Sequence, residues 1–163
     1  MKKSKKQNII IVSIAIIIVV AIAGYNYSAE QTKQKGFKFG NELQQIQEEV
    51  KQLQIEFNSK ITQWEEGDLT QQELLGYSKE HIEKMQNVIS KYDDLTPPKQ
   101  FAPSVELFKL STQTQLDSDE EFIKGVETSD VSHNIRSDSL LQESFEYETI
   151  ALGEFNAAKS GLR

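Results

Sequence analysis

From Asn41 onward, apolar residues recur at intervals of three and four, and no stretch alternates polar and apolar residues as a strand would. That spacing lays them along one side of a helix, and the abundance of Gln, Glu, Leu and Lys favours the same state. Four segments result. The first, from about Asn41 to Glu66, carries Leu43, Ile46, Val50, Leu53 and Phe57, with Gly67 as its stop. The second opens at Thr70, with Glu73 completing a capping box and Leu69 and Leu74 in the two positions of a hydrophobic staple. Its stripe is Leu75, Ile82, Met85, Ile89 and Tyr92, with Ser78 in a small slot.

Thr96-Pro97-Pro98 ends the second segment, and Pro103 suits the first turn of a third. That third segment carries Phe101, Val105, Phe108, Leu116, Phe122, Ile123 and Val126. Thr128-Ser129-Asp130 supplies N-caps for a fourth, whose stripe is Val131, Ile135, Leu141, Phe145, Leu152 and Phe155.

Facing residues of an antiparallel helical hairpin share one index sum. In the first pair of segments Leu43/Tyr92, Ile46/Ile89, Val50/Met85, Leu53/Ile82 and Phe57/Ser78 do so, about a midpoint between Gly67 and Asp68. In the second, Val105/Leu152, Thr112/Phe145, Phe122/Ile135 and Val126/Val131 do so, about a midpoint between Thr128 and Ser129. Both midpoints fall at turns placed independently by Gly and cap residues, which supports two hairpins. A hairpin with one apolar stripe cannot bury it alone. The expected fold is therefore all-α, an antiparallel up-down-up-down four-helix bundle over residues 41–163.

Ahead of the bundle stand Lys2, Lys3, Lys5 and Lys6, then an apolar run from Ile9 to Ala23 closed by Gly24-Tyr25-Asn26-Tyr27. As a helix, 9–27 is about 28 Å long at 1.5 Å per residue, close to the ~30 Å of a bilayer core. The expected layout is a cytoplasmic basic stretch (1–8), a transmembrane signal anchor (9–27), a polar stalk (28–40) and an extracytoplasmic bundle. Ala21-Ile22-Ala23 is also a small-x-small site, so cleavage as a signal peptide stays open. The expected location is the cell membrane, single-pass, with the C-terminal domain outside.

The chain has no cysteine, which removes disulfides, thiolate metal sites and a cysteine nucleophile. With 25 Asp+Glu against 18 Lys+Arg, four of the latter in the N-terminal stretch, the exported part is acidic and unsuited to nucleic acid. No Gly-rich phosphate loop, G-x-S-x-G or H-E-x-x-H is present, so neither an enzyme nor a cofactor is expected. The spacing of Asp130 and His133 occurs once, at a helix start where Asp reads as a cap. Asp117 to Glu121 lacks the central glycine and the spacing of a calcium loop.

In the second hairpin two polar pairs share the apolar pairs' index sum, Gln115/Gln142 and Asp119/Asp138. Facing carboxylates in a half-buried seam require a retained proton or a cation between them. The same level of the first hairpin holds Asn58, Tyr77 and Ser78, with His81 one turn on. Asp119, Asp138, Gln115, Gln142, Tyr77 and His81 therefore form the candidate site for a divalent cation or a small polar ligand. The competing reading is structural, since polar layers in bundles fix register.

Leu95-Thr96-Pro97-Pro98, followed by Phe101, Ser111 and Gln115, resembles uncharacterised secreted or anchored helical proteins of prokaryotes that share an L-x-P-P hinge between two hairpins. That resemblance implies an exported helical domain and no activity. The layout is also similar to the ligand-binding four-helix module of membrane chemoreceptors. Those carry a second span after the bundle, which this sequence does not show before Arg163, so signalling is not expected. The function expected is a non-enzymatic interaction module whose partner is another envelope protein, with the ligand- or cation-binding bundle as the alternative.

Overall fold

The structure is a computed structural model that describes residues 33–161. Among these it is all-helical. Helix α1 spans Lys33–Glu66, α2 Gln71–Ser90, α3 Ala102–Thr128 and α4 Val131–Lys159, with a single 3-10 turn at Lys99–Phe101. The expected anchor at 9–27, the basic stretch at 1–8 and the start of the stalk lie outside the described residues. Among the described residues no helix is long and apolar enough to cross a membrane.

Local chemistry explains the helix ends. Gly67 adopts φ +84, which a side chain would resist. Its N–H bonds to the Trp64 carbonyl at 3.1 Å and that of Asp68 to the Gln63 carbonyl at 2.8 Å, the paired bonds of a Schellman stop. Thr70 forms the expected capping box: its hydroxyl accepts from the Glu73 N–H, and its own N–H donates to the Glu73 carboxylate. After the prolines, Phe101 packs fully buried in the 3-10 turn, with Pro103 in the first turn of α3. Ser129 closes α3 in the left-handed region, and the Asp130 carboxylate accepts from the Ser132 N–H to start α4.

One core joins all four helices. Phe39, Leu43, Ile46 and Val50 of α1 meet Met85, Val88, Ile89 and Tyr92 of α2, Val105, Phe108 and Leu116 of α3, and Ala151, Phe155 and Ala158 of α4. The rings of Phe39 and Phe155 both pack on Phe101, at 5.7 and 5.0 Å. Phe39 belongs to the stretch expected as stalk, so the folded part begins earlier than Asn41. Two glycines made that stretch read as a linker, but burial of Phe39 outweighs their low helix propensity.

Both hairpins are antiparallel, and both registers differ from the expected ones. In the first, Phe57 stacks on His81, three residues beyond Ser78, and Gln47 reaches Tyr92. Leu74 and His81 are accordingly buried where Leu75 and Ile82 were expected.

The second hairpin differs in kind, because its seam is made of small residues. Ser111 donates its hydroxyl to the Ser144 carbonyl (2.9 Å), and Ser144 returns the bond to the Ser111 carbonyl (3.0 Å). Seven residues on, Ser118 donates to the Ser137 carbonyl at 2.8 Å. Buried Ser104 and Ala151 continue the series one heptad the other way, sharing the same index sum. Hydroxyl-to-carbonyl bonds across helices require close axes, which only small side chains allow. That seam displaces the expected pairing by two positions, and most of the stripe assigned to α4 fails. Val131 and Ile135 are 66% and 67% exposed, and of that stripe only Phe155 is buried.

Candidate functional site

The α3/α4 register separates the two aspartates expected to face each other. Asp119 turns the other way, toward α1 and α2, and is buried; Asp138 is exposed on α4. Gln142 is exposed too and bonds along its own helix to Glu146. Tyr77, 43% exposed, lies on the outer edge of α2 with the Lys60 ammonium 4.5 Å above its ring. Gln115 is buried on α3. Of the six candidates, Asp119 and His81 are hydrogen-bonded to each other across helices.

That contact belongs to a network. One carboxylate oxygen of Asp119 accepts from Gln54 Nε2 at 2.7 Å and lies 2.8 Å from His81 Nε2. Phe57 covers the imidazole face at 4.1 Å, nearly parallel, and Phe122 meets Phe57 edge-on. Trp64 stacks edge-on against Phe122, closing the aromatic column near the turn. Three helices thus contribute one polar side chain each to a site walled by rings.

A second polar layer lies one heptad away on α1 and α3. Gln47 Nε2 donates to Tyr92 Oη at 2.6 Å, and Tyr92 Oη is 3.0 Å from Thr112 Oγ1. The Thr112 proton is committed to the Phe108 carbonyl at 2.9 Å, so Tyr92 is the donor to Thr112. Burial raises the Tyr92 phenol well above its usual range. Glu148 of α4 lies close enough to act on that phenol, and burial pushes its own carboxyl up to about 8. Gln47 and Gln54 are a heptad apart beside core positions Val50 and Phe57, a spacing that marks both as inward-facing. Glu148 gave no comparable signal, because it interrupts no large apolar stripe.

The chemistry open to these layers is limited. Two buried hydroxyls beside these layers spend their protons on their own helices, Ser78 on the Leu74 carbonyl and Thr112 on that of Phe108. Among the described residues, no group of three His, Cys, Asp or Glu side chains is placed to hold a metal ion.

The outward face of the first hairpin carries a groove between α1 and α2. One stretch of about 520 Å³ runs past Leu53 and Val88, and a second of about 440 Å³ runs past Leu53, Phe57 and His81. Leu53 and Lys84 line both, so the two are continuous. The rims carry opposite charges at matching levels: Glu49 against Lys91, Glu56 against Lys84, and Lys60 against Glu80. Glu49 and Lys91 form an ion pair across the groove at 2.5 Å. Ile55, 38% exposed, stands on the α1 edge of the second stretch, and the exposed Tyr77 stands on its α2 edge, nearer the α1/α2 turn. His81 therefore sits between two environments, Asp119 on its inner side and the groove on its outer side.

No protein-family model matches this chain, and neither the curated proteins nor the solved structures contain a match to it.

Proposed function

We propose that this chain is a non-enzymatic interaction module. It is held to a cell membrane by the apolar run at 9–27, projects its bundle to the extracytoplasmic side, and docks a helix of an envelope protein in the α1/α2 groove. The observation that carries this reading is the groove itself: an apolar floor of Leu53, Val88 and Phe57 between charged rims, of a form that takes an amphipathic helix. The buried polar layers support a scaffold role, since each joins helices rather than presenting a free reactive group. The up-down-up-down arrangement then places both inter-helix turns, Gly67–Thr70 and Ser129–Asp130, at the end of the bundle away from the start of α1.

The test is site-specific photo-cross-linking of the full chain in its native membrane. A cross-linker at Gln52, in the groove, is expected to trap a discrete adduct that one at Gln142, on the outside of α4, does not. Equal adducts from both positions, or none from Gln52, would overturn the docking reading.

The alternative, a small polar ligand or divalent cation held near Asp119, draws support from His81, which links that carboxylate to the 440 Å³ stretch of the groove. A melting temperature that rises with added divalent cation, and no longer rises in Asp119→Asn, would favour it.

A further inference from the structure

The charge pattern of the groove points to a specific occupant, an inference that rests on the docking reading above. We infer that the α1/α2 groove docks against the same groove of a second copy of this chain, in a parallel two-fold dimer.

The rims decide the orientation. Two copies can bring this face together about a two-fold axis that runs either along the helices or across them. An axis along the helices keeps the two copies parallel and every level preserved, so α1 of one copy lies on the oppositely running α2 of the other. Glu49 then meets the level of Lys91 in the second copy, Glu56 that of Lys84, and Lys60 that of Glu80. Each charge that has an opposite neighbour within the chain gains one across the interface, as flanking charges do in paired helices.

An axis across the helices lays α1 on α1. The α1 rim, with Glu48, Glu49 and Glu56 against the single cation Lys60, would then meet the same acidic rim of the second copy with its levels reversed. Like charges brought together this way oppose the antiparallel alternative. The Leu53 and Val88 floor, with Ile55 and Tyr77 at the edges, supplies apolar surface for burial in the parallel arrangement. That arrangement also sends the starts of both α1 helices out of the same end of the dimer, as two chains anchored in one membrane require.

The chain has no cysteine, so single introduced thiols report without background. Gln52 and Asn87 line opposite rims of the 520 Å³ stretch at matching levels. Full-length Gln52→Cys and Asn87→Cys, each checked for helix content and melting, are reconstituted separately and mixed, then treated with a short thiol-specific cross-linker. The expected result is a cross-linked dimer in the mixture and its loss in either variant alone. Cross-linking of each variant with itself would overturn the parallel orientation. A monomer by light scattering, with no cross-link in any sample, would overturn the dimer. In that case an adduct from the Gln52 photo-cross-linker to a different protein preserves the docking reading, and no adduct removes both.

Discussion

Asp119 shows how a single side chain can be placed correctly in depth and wrongly in direction. Its position near the centre of the α3 stripe marks it as inward, and it is buried, but its partners are Gln54 and His81 rather than Asp138. The acceptor matters because two buried donors depend on it. Asp119→Ala should destabilise the domain by about 3 kcal/mol, as losses of buried hydrogen-bond partners do. Gln142→Ala, on the exposed face of α4, should stay within about 0.5 kcal/mol; urea denaturation of both checks the contrast. Glu148 carries a second residue-scale consequence. Burial holds its folded pKa near 8, above its ordinary 4.5. The folded state then binds the proton more tightly than the unfolded chain, so this contribution is complete below pH 4.5 and is lost as pH rises toward about 8. Thermal melts from pH 5 to pH 9 should show Glu148→Gln losing less stability than the parent chain. The carboxylates whose pKa values are lowered, Glu48, Glu73, Glu80, Glu121 and Asp130, act in the opposite sense and at more acid pH.

At the scale of the helix, the seam between α3 and α4 sets the register. Ser104, Ser111 and Ser118 lie on the same side as Ala151, Ser144 and Ser137 in heptad steps. Ser144→Ala should cost about 1 kcal/mol for its lost bond to Ser111. Ser144→Leu should cost about 3 kcal/mol, because the added bulk forces apart helices that have no slack. Denaturant midpoints of the two variants measure the difference; a milder Leu than Ala would remove the close seam from the account. The same seam explains what could be read in advance. Helix type, the Gly67 stop, the Thr70 capping box, the Asp130 cap and most inward residues of α1 and α3 follow from local spacing and end chemistry, Leu53 and Phe122 being only partly buried. The register of α4 does not follow, because a search for large apolar residues passes over serines, and close backbone approach sends Val131 and Ile135 to the surface. His81 was identified as polar and near the site, but Leu75 and Ile82 drew the expected face of α2 one residue away from it. Spacing beside Phe57 turns Gln54 inward, but in a Gln-rich helix that signal is weak without the buried Asp119 carboxylate that gives the amide its partner.

Across the whole molecule, buried polar layers and exposed groove are two sides of one hairpin. Phe57 and His81 belong to both, stacking over the Asp119 network while lining the groove. Internal bonding of α1, α2 and α3 holds the groove rims at fixed levels, as the proposed selection of a partner's direction by charge requires. If anchored as proposed, copies would share one plane, which favours weak lateral docking through mass action. The most direct measurement is thiol labelling of full-length Gln52→Cys and Gln142→Cys in membranes and in dilute detergent. Both positions are exposed in the isolated domain. The account predicts that Gln52→Cys labels markedly more slowly in membranes than in detergent while Gln142→Cys keeps its rate. Equal rates at both sites in both settings would contradict it.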